Sequence, residues 1–276
     1  MDGSAREPAD RSPAGDEVLR DPLSLFDVSG RSAIVVGASG AFGRAISIAL
    51  GALGVKLLLA SGSEEQLAAV AAEVGEVRTI VRRPETVDDA SAIVAAAVEA
   101  YGSADMLVVA SGLNKPAPIE DLEYEEWQQV MDANVRGPWL MAKAFGTELI
   151  RSGRRGKALF MSSVRGRLGN AAGYTSYCTS KGAVDALTRV LATEWGRYGI
   201  NVNAIAPTVF RSPLTAWIFA DDERGTAHRQ RSIGRTPLGR LEEPEDLIGV
   251  ALYLLSPASD FCTGQVIYVD GGYTAG

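Results

Sequence analysis

Short apolar, β-branched runs alternate with longer stretches of helical period along most of this chain. That alternation constrains the fold more than any single motif. The runs are Ser32–Val36, Val55–Ala60, Val77–Val81, Met106–Ala110, Lys157–Met161, Asn201–Ile205 and Gln265–Val269. Such continuous runs predict strands buried on both faces. Between them, helical period predicts helices over Ala41–Leu53, Glu64–Val74, Val87–Tyr101, Tyr124–Phe145 or beyond, Thr175–Tyr198 and Pro244–Leu255. The last opens with proline, which suits a first helical turn. Seven parallel strands under helices on both faces predict a single doubly wound, Rossmann-type α/β domain. With 276 residues, the chain has room for a large core.

Residues 1–24 are rich in Asp, Arg, Pro, Gly and Ser and predict a disordered or loosely attached tail. The domain is expected over 25–276, opening with Leu25-Phe26-Asp27-Val28. Residues 211–240 interrupt the alternation, with Trp217, Ile218 and Phe219 among charges. In a doubly wound sheet this segment falls outside the carboxyl ends of the strands, where ligands bind, and it predicts a mobile lid.

The net charge of −7 argues against nucleic acid or an anionic membrane as main partner. No apolar run reaches the ~18 residues that span a bilayer, and the first residues lack the apolar stretch of a secretory signal. Cys178 and Cys262 match no metal spacing and read as reduced thiols of a cytoplasmic protein. With His228 as the single histidine, a His-rich metal site is not expected, and no metal is assigned.

Two motifs carry chemistry. The first is Gly37-Ala38-Ser39-Gly40-Ala41-Phe42-Gly43, between the first strand and the first helix. Glycines let backbone approach a pyrophosphate closely, and the helix start aims free N–H groups and a positive dipole end at it. Following a strand and opening a helix is the context that this turn requires for dinucleotide binding. The second is Ser163 followed by Tyr177 and Lys181. On a helix Tyr177 and Lys181 lie one turn apart on one face. An ammonium beside a phenol favours phenolate, so a lowered Tyr177 pKa and a proton donor or acceptor are expected.

In these motifs the chain, from about Leu25 onward, resembles the compact single-domain branch of the short-chain dehydrogenase/reductase family. The likeness extends to Asp132-Ala133-Asn134-Val135, Asn203-Ala204-Ile205-Ala206-Pro207, Gly239-Arg240 … Pro244-Glu245-Asp246 and Gly264 … Val269-Asp270-Gly271-Gly272. The resemblance implies Tyr177 as general acid/base, with Lys181 lowering its pKa and holding the nicotinamide ribose. Ser163 polarises the substrate oxygen, and is preferred over Ser162 because it directly precedes the Val-x-Gly pattern. Asn134 holds a water that relays protons from Lys181. The resemblance further implies a homotetramer or homodimer, with long helices near 124–150 and 175–198 at one interface.

Several positions depart from the family pattern. Val36 replaces a Thr and Ala41 a Gly in the first turn. Val109-Ala110-Ser111-Gly112 stands where Asn-Asn-Ala-Gly is usual, with Gly112 kept where backbone passes the cofactor. Pro207-Thr208 replaces Pro-Gly, with Phe210 and Ser212 at the matching cofactor positions. The second strand ends in Ala60-Ser61-Gly62-Ser63, without the acid that selects NAD through a ribose 2′-OH. Together with Arg82 and Arg83 after the third strand, this favours NADP, with NAD open through Glu64.

The expected reaction interconverts a secondary alcohol and a ketone by hydride transfer. Leu25-Phe26-Asp27-Val28 and Arg167-Leu168-Gly169-Asn170 are similar to members acting on gluconate and related sugar acids, and Arg165 and Arg167 can meet a carboxylate. Trp217 and Phe219 point instead to an apolar or cyclic ketone. A nucleotide sensor without catalysis is the alternative of another class, motivated by the altered Val109–Gly112 segment.

Overall fold

The computed structural model describes residues 15–276. Seven parallel strands form one sheet in the order β3-β2-β1-β4-β5-β6-β7. They are β1 (Ser32–Val36), β2 (Lys56–Ser61), β3 (Arg78–Val81), β4 (Met106–Val109), β5 (Gly156–Met161), β6 (Ile200–Pro207) and β7 (Val266–Val269). The order reverses between β1 and β4, which opens a crevice at their carboxyl ends.

Successive residues of a strand point to opposite faces, and both faces are covered here. Ile34, Val36, Leu58 and Leu107 pack against α4 (Val87–Tyr101), α6 (Gly137–Ser152) and α7 (Thr175–Trp195), through Ile93, Phe145 and Val184. Val35, Leu57, Leu59 and Val108 pack on the other side against α2 (Ala41–Ala52), α3 (Glu64–Val74) and α9 (Ile248–Leu255), through Ile46, Leu67 and Leu254. Phe145 and Phe160 are fully buried, each worth ~1.5–3 kcal/mol of apolar transfer.

Four segments differ from the expected elements. The helix expected from Tyr124 is in three parts: α5 (Tyr124–Met131), a π-helical turn over Asp132–Arg136, and α6. Pro138 stands in the first turn of α6 without an N–H to give. The ladder shifts to wider bonds just before it, with Gly137 N–H donating to Asp132 O. Helix α7 ends at Trp195, and its expected last turn is 3-10, closed by Gly199 at φ 71°. The expected helix from Pro244 likewise begins as a 3-10 turn, Pro244–Leu247, before α9. Residues 1–14 of the expected tail lie outside the described residues, while 15–24 carry α1 (Gly15–Arg20) and the start of a 3-10 turn, Pro22–Phe26.

Residues 211–240 form a 3-10 turn, Pro213–Phe219, and α8 (Glu223–Arg235). They are fastened to each other. Arg229 donates to the carbonyls of Ile218 and Ala220, both at 2.7 Å.

Candidate active site

The glycine turn is built by contact. Gly37 has φ 79°, and a Cβ on it would lie 2.6 Å from the Ser111 nitrogen beyond β4. A Cβ on Gly43 would lie 2.1 Å from the Gly37 carbonyl oxygen. Bare glycine at both positions therefore lets α2 close onto the end of β1. No side chain caps α2 at Gly40, so its first N–H groups are open to an anion. The cradle fits the pyrophosphate of a dinucleotide.

Parallel pairing of Ser61 with Val81 brings the ends of β2 and β3 together. Ser39 and Ser61 share a hydroxyl hydrogen bond of 2.6 Å. Arg83 folds back over Gly62, where a Cβ would stand 2.2 Å from its Nε. Arg82 is engaged by Asp89. Two hydroxyls and one guanidinium thus stand at the β2 end, with Glu85 further along the same lining. This donor set fits a phosphate on the ribose.

At the other end, α7 carries Tyr177 and Lys181 towards the carboxyl ends of β5 and β6. Lys181 is buried, its Nζ donates to Met161 O at 2.7 Å, and it lies 5.6 Å from the Tyr177 ring centroid. Burial pulls its pKa down to about 8, opposed by the Asp185 carboxylate one turn further on. The Tyr177 phenol moves the opposite way. Burial pushes it up to about 12, against a hydrogen bond with Ser163 that lowers it. The expected lowering of the phenol by Lys181 is therefore corrected: burial wins, and the ammonium is aimed at Met161 O.

The two serines separate clearly. Ser162 is buried and its hydroxyl donates to Asp185. Ser163 Oγ accepts Arg165 N–H at 3.2 Å and reaches Pro207 O at 3.5 Å, beside the phenol. Asn134 projects from the π-helical turn. Its Oδ1 accepts Leu113 N–H at 2.8 Å, and its Nδ2 donates to Leu113 O at 2.8 Å and Ser180 Oγ at 2.9 Å. A Cβ on Gly112 would lie 3.7 Å from Asn134 Oδ1 and 3.8 Å from Lys181 Nζ. Asn134 and Lys181 thus both border the backbone at Gly112.

Ser163, Tyr177 and Lys181 line one cleft of about 770 Å³ with every expected cofactor residue except Ala41 and Gly43, which sit behind its glycine wall. Asn134 is buried just beneath it. The three expected substrate residues are outside the lining. Arg165 donates to Gly169 O at 2.8 Å and to the Tyr273 hydroxyl at 3.0 Å. Arg167 lies over the Tyr268 ring. Trp217 packs edge-on against His228, with Arg224 across its ring. Leu113 and Met161 also line the cleft, without a signal in the sequence. They act through backbone atoms, which residue type does not advertise.

Among the described residues no group of three His, Cys, Asp or Glu side chains is arranged to hold a metal ion. No described helix is long and apolar enough to cross a membrane.

Residues 37–274 match a family model described as Enoyl-(Acyl carrier protein) reductase. An uncharacterized oxidoreductase of Mycobacterium tuberculosis is 48% identical over 255 residues, covering 92% of this chain and 94% of the relative. Gluconate 5-dehydrogenase of Gluconobacter oxydans is 34% identical over 254 residues, covering 91% and 97%. Among solved structures, a gluconate 5-dehydrogenase from Burkholderia cenocepacia J2315, in complex with NADP and tartrate, superposes with a TM-score of 0.85. It shares 30% identity and covers 92% of this chain and 99% of its own.

Proposed function

This chain belongs to the short-chain dehydrogenase/reductase family, and we propose that it interconverts a secondary alcohol and a ketone on a sugar acid or polyol, using NADP. The observation that carries the reading is the meeting of Tyr177, Ser163 and Lys181 in the same cleft as the glycine turn. Relatives named gluconate 5-dehydrogenases, one of them with NADP, support the substrate class and the cofactor.

The glycine turn and the start of α2 hold the pyrophosphate, and Ser39, Ser61 and Arg83 hold the 2′-phosphate. Pro207, Phe210 and Ser212 hold the nicotinamide end. When bound, NADP supplies the hydride acceptor or donor. Ser163 and Tyr177 bind the substrate oxygen together and fix the carbon for transfer. In oxidation Tyr177 acts as the phenolate and its Oη takes the proton of the alcohol oxygen, and in reduction the phenol gives that proton up. A phenol at about 12 resists that loss at neutral pH. Lys181, with a pKa of about 8, is mostly ammonium there and supplies the compensating charge. Asn134 ties the π-helical turn to Leu113 and Ser180, and on this reading it supports the relay from Lys181. Residues 211–240 cover the substrate side as the lid. A homotetramer through α6 and α7 belongs to the same reading, supported by the exposed Trp139 and Val190.

The test is turnover of purified protein with NADP+ and NAD+ on a panel of sugar acids and polyols, beside a panel of apolar and cyclic alcohols. Turnover on the first panel with preference for NADP+ is expected. Turnover confined to the apolar panel would overturn the substrate class.

A further inference from the structure

Glu242 is a buried ionisable group that the mechanism above leaves unused. It belongs to a short connection before the Pro244–Leu247 turn, and it is 6% exposed. Its Oε2 accepts the Thr208 N–H at 2.7 Å. Thr208 follows β6 directly and lines the cleft with Pro207 and Phe210. The backbone repeats the link, since Glu242 N–H donates to Val209 O at 3.2 Å and Phe210 bridges to Glu242. One carboxyl thus fastens the wall that follows β6.

The other oxygen is anomalous. Glu242 Oε1 is buried and meets no hydrogen-bond partner among the described residues. Beside Glu242 lies a second cavity of about 160 Å³, bordered by Asp246, Asp270 and Arg240. Those neighbours are already committed. Asp246 accepts two hydrogen bonds from Arg240, at 2.6 and 2.7 Å. Asp270 accepts from the Gly272 and Thr274 nitrogens and the Thr274 hydroxyl. No described group donates to Glu242 Oε1, and two carboxylates face it.

Resting on the dehydrogenase reading, we propose that Glu242 is a positioning residue that holds the Pro207–Phe210 wall of the cofactor cleft through Thr208, and that its ionisation releases that wall. Burial comes first and the Asp246 and Asp270 charges add to it, against the Thr208 N–H and Arg240. Together they push the Glu242 carboxyl up to about 8. Below that pH the group is a neutral acid, and its carbonyl oxygen accepts from Thr208 at no charge cost. Above it, an anion with an orphaned oxygen sits between two like charges.

Two measurements test this on wild type, Glu242→Gln and Glu242→Ala, each between pH 7 and 9.5, above the phosphate's own ionisation near ~6. The first is amide hydrogen exchange of the peptide spanning 206–212 without nucleotide, corrected for intrinsic rates. The second is NADPH affinity by fluorescence titration. In wild type, protection and affinity should fall together, about tenfold, with a midpoint near 8. Glu242→Gln keeps the acceptor without the charge, so its protection over 206–212 should hold its pH 7 value throughout, and its affinity should fall only by the part that Lys181 contributes as it loses its proton near 8. Glu242→Ala should be weak at every pH, with the cofactor KM raised more than kcat is lowered. A Glu242→Gln protein whose 206–212 exchange follows the wild-type pH profile would overturn the proposal, as would wild-type protection in Glu242→Ala. If the Ala variant does not fold, the Gln comparison alone decides. Normal exchange behaviour with no NADPH binding at any pH would overturn the cofactor reading and leave the clamp standing.

Discussion

Gly43→Ala places one methyl group where the fold has no room. The new carbon would lie 2.1 Å from the Gly37 carbonyl oxygen and 2.9 Å from Ala38 Cα, where ordinary contact begins at 3.4 Å. Both neighbours are backbone of the first turn, so no flexible side-chain tip can yield. Helix α2 must retreat from β1 by more than an ångström, an overpacking that costs ~1–3 kcal/mol. At ~2–4 °C per kcal/mol for a chain of this size, the Tm should fall by about 2–12 °C. The larger effect falls on the nucleotide. If two N–H groups of the first turn lose the pyrophosphate, at ~1.5–3 kcal/mol each, NADPH affinity drops ~100-fold or more. The assay is a fluorescence titration paired with thermal unfolding. The control is Gly249→Ala in α9, where a Cβ meets nothing within 4 Å. It should raise stability by ~0.5–1 kcal/mol and leave affinity alone. A Gly43→Ala protein that binds NADPH within threefold of wild type would refute this account of the turn.

Three other outcomes follow from the same geometry. Arg83→Ala should weaken NADPH about tenfold to a hundredfold and leave NADH within about twofold, in competition titrations of both nucleotides. Asp185→Asn keeps an acceptor for Ser162 and removes the charge that supports the Lys181 ammonium. The Lys181 pKa should move down from about 8, read as a shift of the matching limb of the kcat profile to lower pH. Glu242 also makes stability depend on pH. Its folded pKa is raised from the ordinary ~4.3 to about 8. The stability is therefore full below the ordinary carboxylate range and is lost as pH rises through about 8. On the order of a few kcal/mol is involved, so Tm should fall from pH 6 to pH 9 in wild type and much less in Glu242→Gln.

The layered fold was legible because strand residues such as Ile34 and Val35 are apolar on both faces, a pattern local to a few residues. The π-helical turn had a local signal too, in Pro138, but helical period alone reads through it. Arg83 could be set after β3 and Gly62 after β2 from sequence. Their contact depends on strand register, which only the folded sheet supplies. The same holds for electrostatics. Spacing puts Lys181 near Tyr177, yet the sign of the phenol's shift follows from burial, which spacing does not contain. Arg165, Arg167 and Trp217 read as substrate contacts, and each is engaged instead by Tyr273, Tyr268 or His228, far along the chain or in the next helix. Glu242 gave no signal at all, since its partner Thr208 is remote and contributes only a backbone N–H.

Tyr177→Phe tests the central claim most directly, because it removes one oxygen and keeps the ring beside Lys181. General acid/base loss predicts a fall in kcat of ~10²–10⁴, with NADPH affinity within about threefold of wild type. Turnover within tenfold of wild type, at any pH between 6 and 10, would contradict the assignment of Tyr177 as the proton-transfer group.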